Sequence, residues 1–528
     1  MSNHAYESAA ALRPSSNGPI PISTLCERFS LTPASAEDAA ALNDLSTLGV
    51  SVDSGDIAAG ELFVGLPGFT VHGARFAAQA VASGAVAVLT DADGAQIVHE
   101  TAPGTPVLVH SDPRAVVGPL SAEVYHHPAR GLVTTAVTGT NGKTTTAYFL
   151  DAILSAHVGG CMVAGTVELR VGERSVESPR TTVEAPVLQR MMALAVEDRV
   201  GAASLEASSH AIVLHRLDGL VVDVAGFTNL QRDHLDFHKT MEGYLEAKAQ
   251  LFTPEHARRG VVCVDDQWGA ALAAEAPIEI DRVRAYPGET PADWWVSDAA
   301  VSLTDSATTF TLHGPDGEQI EASCPLPGLV NVQNAALALV MAIRAGVPAA
   351  TATAALAGAH NIPGRMQRIS QRDGRRGLCI VDFAHTPEAM ELALKAVRPI
   401  TPGRLIVVFG SDGDRDQGKR PMLGEVCARL ADVLVVTDEN PRSEDPQLIR
   451  NAILEGVRGV RPDLTDVEEI TTWRGDAVRR GVELCGPDDT VIVTGKGHEP
   501  FLEMAGEFIR YNDAPVMAEA VEKKWGRA

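Results

Sequence analysis

The chain has 528 residues, is 45% apolar but only 5% aromatic, and carries a formal net charge of −24. Its length exceeds what one hydrophobic core supports, so about two to four domains are expected. The acidic balance excludes nucleic acid as the main partner, because phosphate backbones need basic surfaces. It is compatible with a small anionic substrate where Lys, Arg or a metal ion reverses the field locally.

The first stretch, MSNHAYESAAALRPSSNGPIP, has no apolar core of the signal-peptide kind and reads as a mobile tail. No apolar run approaches the ~20 residues of a membrane helix, so no membrane insertion is expected. Cys26, Cys161, Cys263, Cys324, Cys379, Cys427 and Cys485 are scattered and form no C-x-x-C pair. That argues against a disulfide framework or a thiolate zinc site and for a reducing cytoplasm. Strand-like and helix-like runs alternate through most of the chain, which predicts an α/β fold with parallel sheets and crossover helices.

Three blocks divide it, at 1–130, 131–361 and 362–528. The first holds two buried-strand candidates, GELFVGLPG and GAVAVLTDADG, around the helical ARFAAQAVAS. The second opens on the strand LVTTAVTG, the turn TGTNGKTTT and a helix that sets Phe149, Leu150, Ile153 and Leu154 on one side. A strand, a Gly-rich turn and a helix N-terminus together form a phosphate-binding context, in which backbone N–H groups and the helix dipole face an anion. Lys143 would add a point charge and Thr144 a hydroxyl for Mg²⁺. Against this, position 137 is Val, so the pattern G-x-x-x-x-G-K-[ST] is not met, and a turn with a solvated lysine stays open.

Further along, AASLEASSH reads as a strand ending in Glu206, and AGFTNLQRDHLDFH as a strand running into a loop with His234. MEGYLEAKAQLF follows as a short helix carrying Lys248. The third block contains four strand candidates, GLCIVDFAH, RLIVVFG, DVLVVTDENP and TVIVTGKG, whose polar ends stand where open α/β sheets bind ligands.

TGTNGKTTT, LEASSH, FTNLQRDHLDFH and YLEAKAQLF, in this order, resemble the central domain of the Mur ligases. Those enzymes, like the related folylpolyglutamate synthetases, use the shorter loop G-T-x-G-K-[ST], which disposes of the objection at Val137. The resemblance implies a three-domain α/β architecture with a central P-loop-type parallel sheet and a Rossmann-like C-terminal domain. It implies an amide-forming ligase with ATP as co-substrate and Mg²⁺ as cofactor. Gly139, Thr140, Asn141, Gly142, Lys143, Thr144 and Thr145 would surround the phosphates. Thr144 and Glu206 would hold one Mg²⁺, and Glu206, His234 and a carbamylated Lys248 the second.

The resemblance reaches the flanking domains and points to the members that add the third peptide residue. Their substrates are UDP-MurNAc-L-Ala-D-Glu, ATP and a diamino acid. Ser54, Thr181, Thr182, Ser208 and Arg216 match the contacts to the UDP-substrate, whereas Gly55, His72 and Leu214 depart from the usual pattern. PGLVNVQNAALA, PGRMQ and VDFAHTPEAM imply Asn331, Asn334, Arg365, Asp382 and His385 at the nucleotide. FGSDGDRDQGKRP, TDENPRSEDP and GKGHEPF imply Arg415, Asn440, Arg442, Gly495 and Glu499 at the incoming amino acid. Glu439 replaces the usual Asp, and Asp412 adds a carboxylate where a second ammonium would lie.

The forked Arg442 suits a distal carboxylate, so meso-diaminopimelate is expected, with lysine, ornithine or diaminobutyrate as alternatives. A folylpolyglutamate synthetase is the rival ligase, disfavoured by the 130 residues that precede the loop. A P-loop ATPase switch is the rival outside the ligases. A cytoplasmic monomer that closes its third block over the centre completes the expectation.

Overall fold

A computed structural model describes residues 10–302, 307–359 and 362–526. The first nine residues of the expected tail and the boundary at 361 lie outside the described residues. The chain divides into two compact units, Met1–Trp295 with Asn334–Ala355, and Val296–Gln333 with Leu356–Ala528.

Two sheets position the expected site residues of the first unit. Its N-terminal sheet runs Thr32–Pro33, Val107–Val109, Ala87–Thr90, Glu61–Val64 and Gly49–Ser51, parallel apart from the first pairing. Glu61–Val64 and Ala87–Thr90 are the two buried strands expected from the sequence.

The larger sheet is built around β1 (Val133–Thr138), followed by helix α1 (Lys143–Val158), β2 (Ala202–Glu206), β3 (Val222–Phe227) and helix α2 (Met241–Ala249). β1 lies between β2 and β3, parallel to both, in the register Val137 to Glu206 and Thr138 to Phe227. The carboxyl ends of the three strands therefore open at one place, beside the N-terminus of α1. β1 reads VTTAVT, and its β-branched side chains suit a strand packed on both faces. On α1, Phe149, Leu150, Ile153 and Leu154 are fully buried, each contributing about 1.5–3 kcal/mol from apolar burial. Gly159 ends the helix in a left-handed cap, its N–H donating to Ser155 O.

In the second unit, β4 (Leu378–Val381), β5 (Leu405–Phe409), β6 (Val433–Val436) and β7 (Thr490–Val493) form the parallel core of a six-stranded sheet. β7 separates β4 from β5, and β6 lies beyond β5. Every residue of these four strands is buried, as expected where helices cover both faces. All four expected strand ends thus emerge on one side of one sheet.

One expectation is corrected. Within the N-terminal stretch, residues from 10 onward are docked rather than mobile. Leu12 is fully buried in the core of the first unit. Arg13 pairs with Glu61 and lies 3.0 Å from Asp56. Ser15 N donates to Glu197, and Asn17 Nδ2 to Leu48 O at 2.7 Å. The cause is charge: Asp56 and Glu61 are buried carboxylates that need cations, and Arg13 and Arg190 supply them. Among the described residues no helix is long and apolar enough to cross a membrane, and all seven cysteines are free.

Candidate active site

The turn after β1 is held open by its own glycines and by the chain that follows β3. Gly139 and Gly142 have φ of +142° and +92°, in the region that favours glycine. A Cβ at Gly139 would stand 1.9 Å from Thr228 Oγ1, and one at Gly142 would stand 2.3 Å from Asn334 Oδ1. Thr140 N donates to Asn229 O at 2.9 Å and Asn141 N to Asn229 Oδ1 at 3.1 Å. Thr228 Oγ1 donates to Asn141 O at 2.6 Å, and Asn141 Nδ2 to Gln231 Oε1 at 2.8 Å. Sequence reading named the loop and missed this clamp of Thr228, Asn229 and Gln231. Asn334 Oδ1 is buried without a hydrogen-bond partner beside the loop.

Two lysines meet at this turn. Lys143 Nζ donates to Gly139 O at 3.0 Å and to Thr140 O at 2.9 Å, while Lys248 Nζ reaches Gly139 O at 2.8 Å from α2. Lys248 is 1% exposed, and its ammonium stands 4.4 Å from the centre of the Tyr244 ring. Burial, then the Lys143 charge, pushes the Lys248 amine well below its ordinary value.

Thr144 Oγ1 donates to Glu206 Oε2 at 2.9 Å. Glu206 is 1% exposed and also accepts from Thr166 N at 2.8 Å and Thr166 Oγ1 at 3.0 Å. Thr166, 40 residues upstream, carried no sequence signal. The donor set of Thr144 hydroxyl and Glu206 carboxylate fits a hard cation such as Mg²⁺. His234 sits in a ring cluster, 4.9 Å from His210 and 6.2 Å from Tyr244 between ring centres. Among the described residues no three His, Cys, Asp or Glu side chains come together as a ready metal group. The expected ligands are therefore assembled as the pair Thr144 and Glu206, with Lys248 and His234 both close to the Tyr244 ring.

The residues expected at the UDP-substrate separate into two places. Ser54 donates to Gln79 Oε1 at 3.2 Å within the N-terminal sheet region. Thr182 Oγ1 donates to Glu206 O at 2.7 Å and accepts from Ser208 N at 3.0 Å, so it braces the strand end that carries Glu206. Thr181 Oγ1 lies 3.1 Å from Thr166 Oγ1, and Ser208 caps the helix Ser209–Val213. Arg216 joins Arg114 and Arg180 around the carboxylate of Glu184. Arg114 and Arg180 were not singled out in the sequence. At two of the three departures from the usual pattern, His72 Nδ1 accepts from Ala74 N and caps a short helical turn, and Gly55 N donates to Asp53 Oδ1.

In the second unit, the end of β4 bears Asp382, which accepts from Met366 N at 2.8 Å and Ala384 N at 2.9 Å. Burial raises its carboxyl pKa. The Arg365 guanidinium lies 4.2 Å from the Phe383 ring centre, and His385 stacks edge-on to the same ring at 4.7 Å. Asn331 Nδ2 donates to Pro327 O. Arg365, Asp382 and His385 are thus brought together.

The ends of β5, β6 and β7 converge on a mixed-charge cluster. Asn440 Nδ2 donates to Asp412 Oδ1 at 3.0 Å and to Glu499 Oε2 at 3.1 Å, while its Oδ1 accepts from Lys496 Nζ at 2.9 Å. Gly495 has φ of +106°, and a Cβ there would stand 2.5 Å from Glu439 Oε2. Burial, then Asp412, pushes the Glu439 carboxyl up to about 8. Arg442 faces Asp412 at 3.8 Å and Glu503 at 3.7 Å. Arg415 lies on the exposed loop after Asp414. Lys496, fully buried, was not among the expected residues.

Comparisons with known proteins identify the relatives of this chain. Residues 137–342 match the Mur ligase middle domain, 364–497 the glutamate ligase domain of Mur ligases, and 47–125 the Mur ligase family catalytic domain. The chain is 42% identical over 478 residues to the UDP-N-acetylmuramoyl-L-alanyl-D-glutamate–2,6-diaminopimelate ligase of Streptomyces coelicolor, covering 90% of this chain and 93% of that one. It is 41% identical over 508 residues to the UDP-N-acetylmuramyl-tripeptide synthetase of Leifsonia xyli subsp. xyli, covering 95% and 96%. A solved structure of a UDP-N-acetylmuramoyl-L-alanyl-D-glutamate–2,6-diaminopimelate ligase superposes with a TM-score of 0.64 at 31% identity, covering 91% of this chain and 96% of that one.

Proposed function

This chain belongs to the Mur ligase family, and on that premise we propose that it joins meso-diaminopimelate to UDP-MurNAc-L-Ala-D-Glu at the expense of ATP, in peptidoglycan precursor synthesis. The observation that carries the reading is the pairing of a phosphate loop with a buried Thr144–Glu206 contact on one sheet, together with an Arg442 strand end suited to a dicarboxylic amino acid.

The D-Glu γ-carboxylate attacks the γ-phosphorus of ATP, ADP leaves, and an acyl phosphate forms. The free amine of the diamino acid then attacks the acyl carbon, the tetrahedral intermediate expels phosphate, and the amine loses a proton as the amide forms. Lys143 turns from Gly139 O and Thr140 O towards the phosphates, where its charge offsets the charge developing on the transferred group. The loop amides from Gly139 to Thr145 orient the same group from the helix N-terminus. Thr182 and Thr166 hold Glu206 in place through its carbonyl and its carboxylate.

Mg²⁺ would be held by Thr144 and Glu206, and a second ion by Glu206, His234 and Lys248, supplying charge neutralisation at the phosphates. Lys248 serves this as a carbamate, formed when its neutral amine takes up CO₂ and releases a proton. Its burial supports the neutral amine that this addition needs. Arg365, Asp382 and His385 receive the rest of the nucleotide, with Asn331 and Asn334 near the base. Ser54, Thr181, Ser208 and Arg216 take the UDP-substrate, and Arg415, Asn440, Arg442, Gly495 and Glu499 the amino acid. Three domains, with boundaries near 130 and 361, supply these parts in a cytoplasmic monomer.

The test is the mass of the product formed from UDP-MurNAc-L-Ala-D-Glu, ATP and Mg²⁺ with meso-diaminopimelate, lysine or ornithine offered in turn. The reading expects the diaminopimelate adduct. Turnover of lysine with none of diaminopimelate would overturn the role of Arg442, and no UDP-linked product with any of them would overturn the ligase itself.

A further inference from the structure

We propose that Asp412 binds the distal ammonium of the incoming diamino acid while the neighbouring Arg442 takes the distal carboxylate, so that the two side chains together read one zwitterionic carbon. The inference rests on the ligase reading above and deepens it at the amino-acid end.

Asp412 is fixed in place. It follows β5, and the next residue, Gly413, donates its N–H to Asn440 O at 2.8 Å. A Cβ at Gly413 would stand 1.9 Å from Pro441 O, so the loops after β5 and β6 lie in direct contact. Asn440 then holds one oxygen, its Nδ2 donating to Asp412 Oδ1 at 3.0 Å. The other oxygen, Oδ2, faces Arg442 Nη2 at 3.8 Å, beyond hydrogen-bond length.

Arg442 is equally poised. Its backbone is clamped in the left-handed region at φ +56°, with its N–H on Glu503 O at 3.0 Å and its carbonyl accepting from Ala505 N at 2.7 Å. A non-glycine residue held there stores about 1–3 kcal/mol of strain, which the clamp on both sides sustains. The guanidinium reaches Asp412 and Glu503 only at 3.8 and 3.7 Å, and its Nε is buried without a hydrogen-bond partner. A guanidinium and a carboxylate thus stand side by side, each with hydrogen-bonding capacity that the other does not use.

Charge selects the ligand. A bare carboxylate docking on Arg442 would be the third anion around one cation, after Asp412 and Glu503. A carboxylate with an ammonium on the same carbon brings its own compensating charge, and Asp412 Oδ2 is an uncommitted acceptor that Asn440 fixes beside Arg442. Glu499 is less free for this, because its Oε2 already accepts from Lys496 at 2.9 Å and from Asn440 at 3.1 Å.

The experiment compares meso-diaminopimelate with 2-aminopimelate, which has the same chain and both carboxylates but lacks the distal amine. Full-length wild type and Asp412→Asn are assayed for ligation with saturating ATP and UDP-MurNAc-L-Ala-D-Glu. The expected result is a KM for diaminopimelate raised about 10-fold or more, with the KM for 2-aminopimelate within about 3-fold of wild type, so that discrimination collapses. Asp412→Ser serves if the Asn variant fails to fold, and an unchanged KM for ATP certifies the rest of the site. Parallel shifts for both amino acids, or no shift for either, would overturn the role of Asp412. A wild type that ligates no diamino acid would instead overturn the reading beneath it.

Discussion

Two lysine amines share one carbonyl at the phosphate loop, Lys143 at 3.0 Å and Lys248 at 2.8 Å from Gly139 O. Burial and the Lys143 charge hold the Lys248 amine uncharged, which costs stability relative to a solvated ammonium. Lys143→Met removes the charge that offsets the transferred phosphoryl group and should lose on the order of 10³ in kcat/KM. It should keep or slightly raise the melting temperature, by up to about 3 °C; calorimetry beside a turnover assay checks both signs, and a large fall in melting temperature would refute the account. Glu439 gives a second test. Its folded value of about 8 lies above the ordinary 4.5, so the folded protein holds a proton that the unfolded chain releases. Its contribution is complete below about 4.5 and is lost as pH rises through 8, at up to ~1.4 kcal/mol per pH unit. Urea midpoints from pH 5 to 9 should fall less steeply in Glu439→Gln than in wild type, and identical slopes would exclude Glu439 as the cause.

At the scale of elements, function depends on where strands stop. β1, β2 and β3 end together, so a hydroxyl from α1 and a carboxylate from β2 meet at 2.9 Å although 62 residues separate them. The turn that joins β1 to α1 has no room for side chains at two of its glycines. Gly142→Ala should abolish nucleotide binding while leaving the sheet folded, because the new Cβ meets Asn334 Oδ1 at 2.3 Å in a left-handed backbone. Circular dichroism with ATP-titration calorimetry would check it, and binding within about 3-fold of wild type would contradict it. This turn was legible in the sequence because strand, glycine, lysine and helix stand in consecutive residues. Thr166, which gives Glu206 two of its hydrogen bonds, and the clamp of Thr228, Asn229 and Gln231 were not. Those contacts join residues 40 to 90 apart, and no local period marks them. The N-terminal stretch misled for the same reason. Its small polar residues read as a tail, but Arg13 answers buried carboxylates more than 40 residues away.

For the whole molecule, a formal net charge of −24 coexists with local gatherings of basic side chains. Lys143 stands at the loop, Arg114, Arg180 and Arg216 around Glu184, and Arg442 in the loop after β6. The α/β architecture and the four C-terminal strand ends followed from the order of apolar runs and polar stops. Which strand neighbours which did not, because β1 enters between two strands that come later in the chain. The central claim is that ATP cleavage serves amide formation and is coupled to both other substrates. Phosphate release measured with ATP and Mg²⁺ alone, then with UDP-MurNAc-L-Ala-D-Glu, then with meso-diaminopimelate as well, tests it most directly. The account predicts sustained release only with all three substrates present, one phosphate for each UDP-tripeptide formed. Equal release from ATP alone would contradict it.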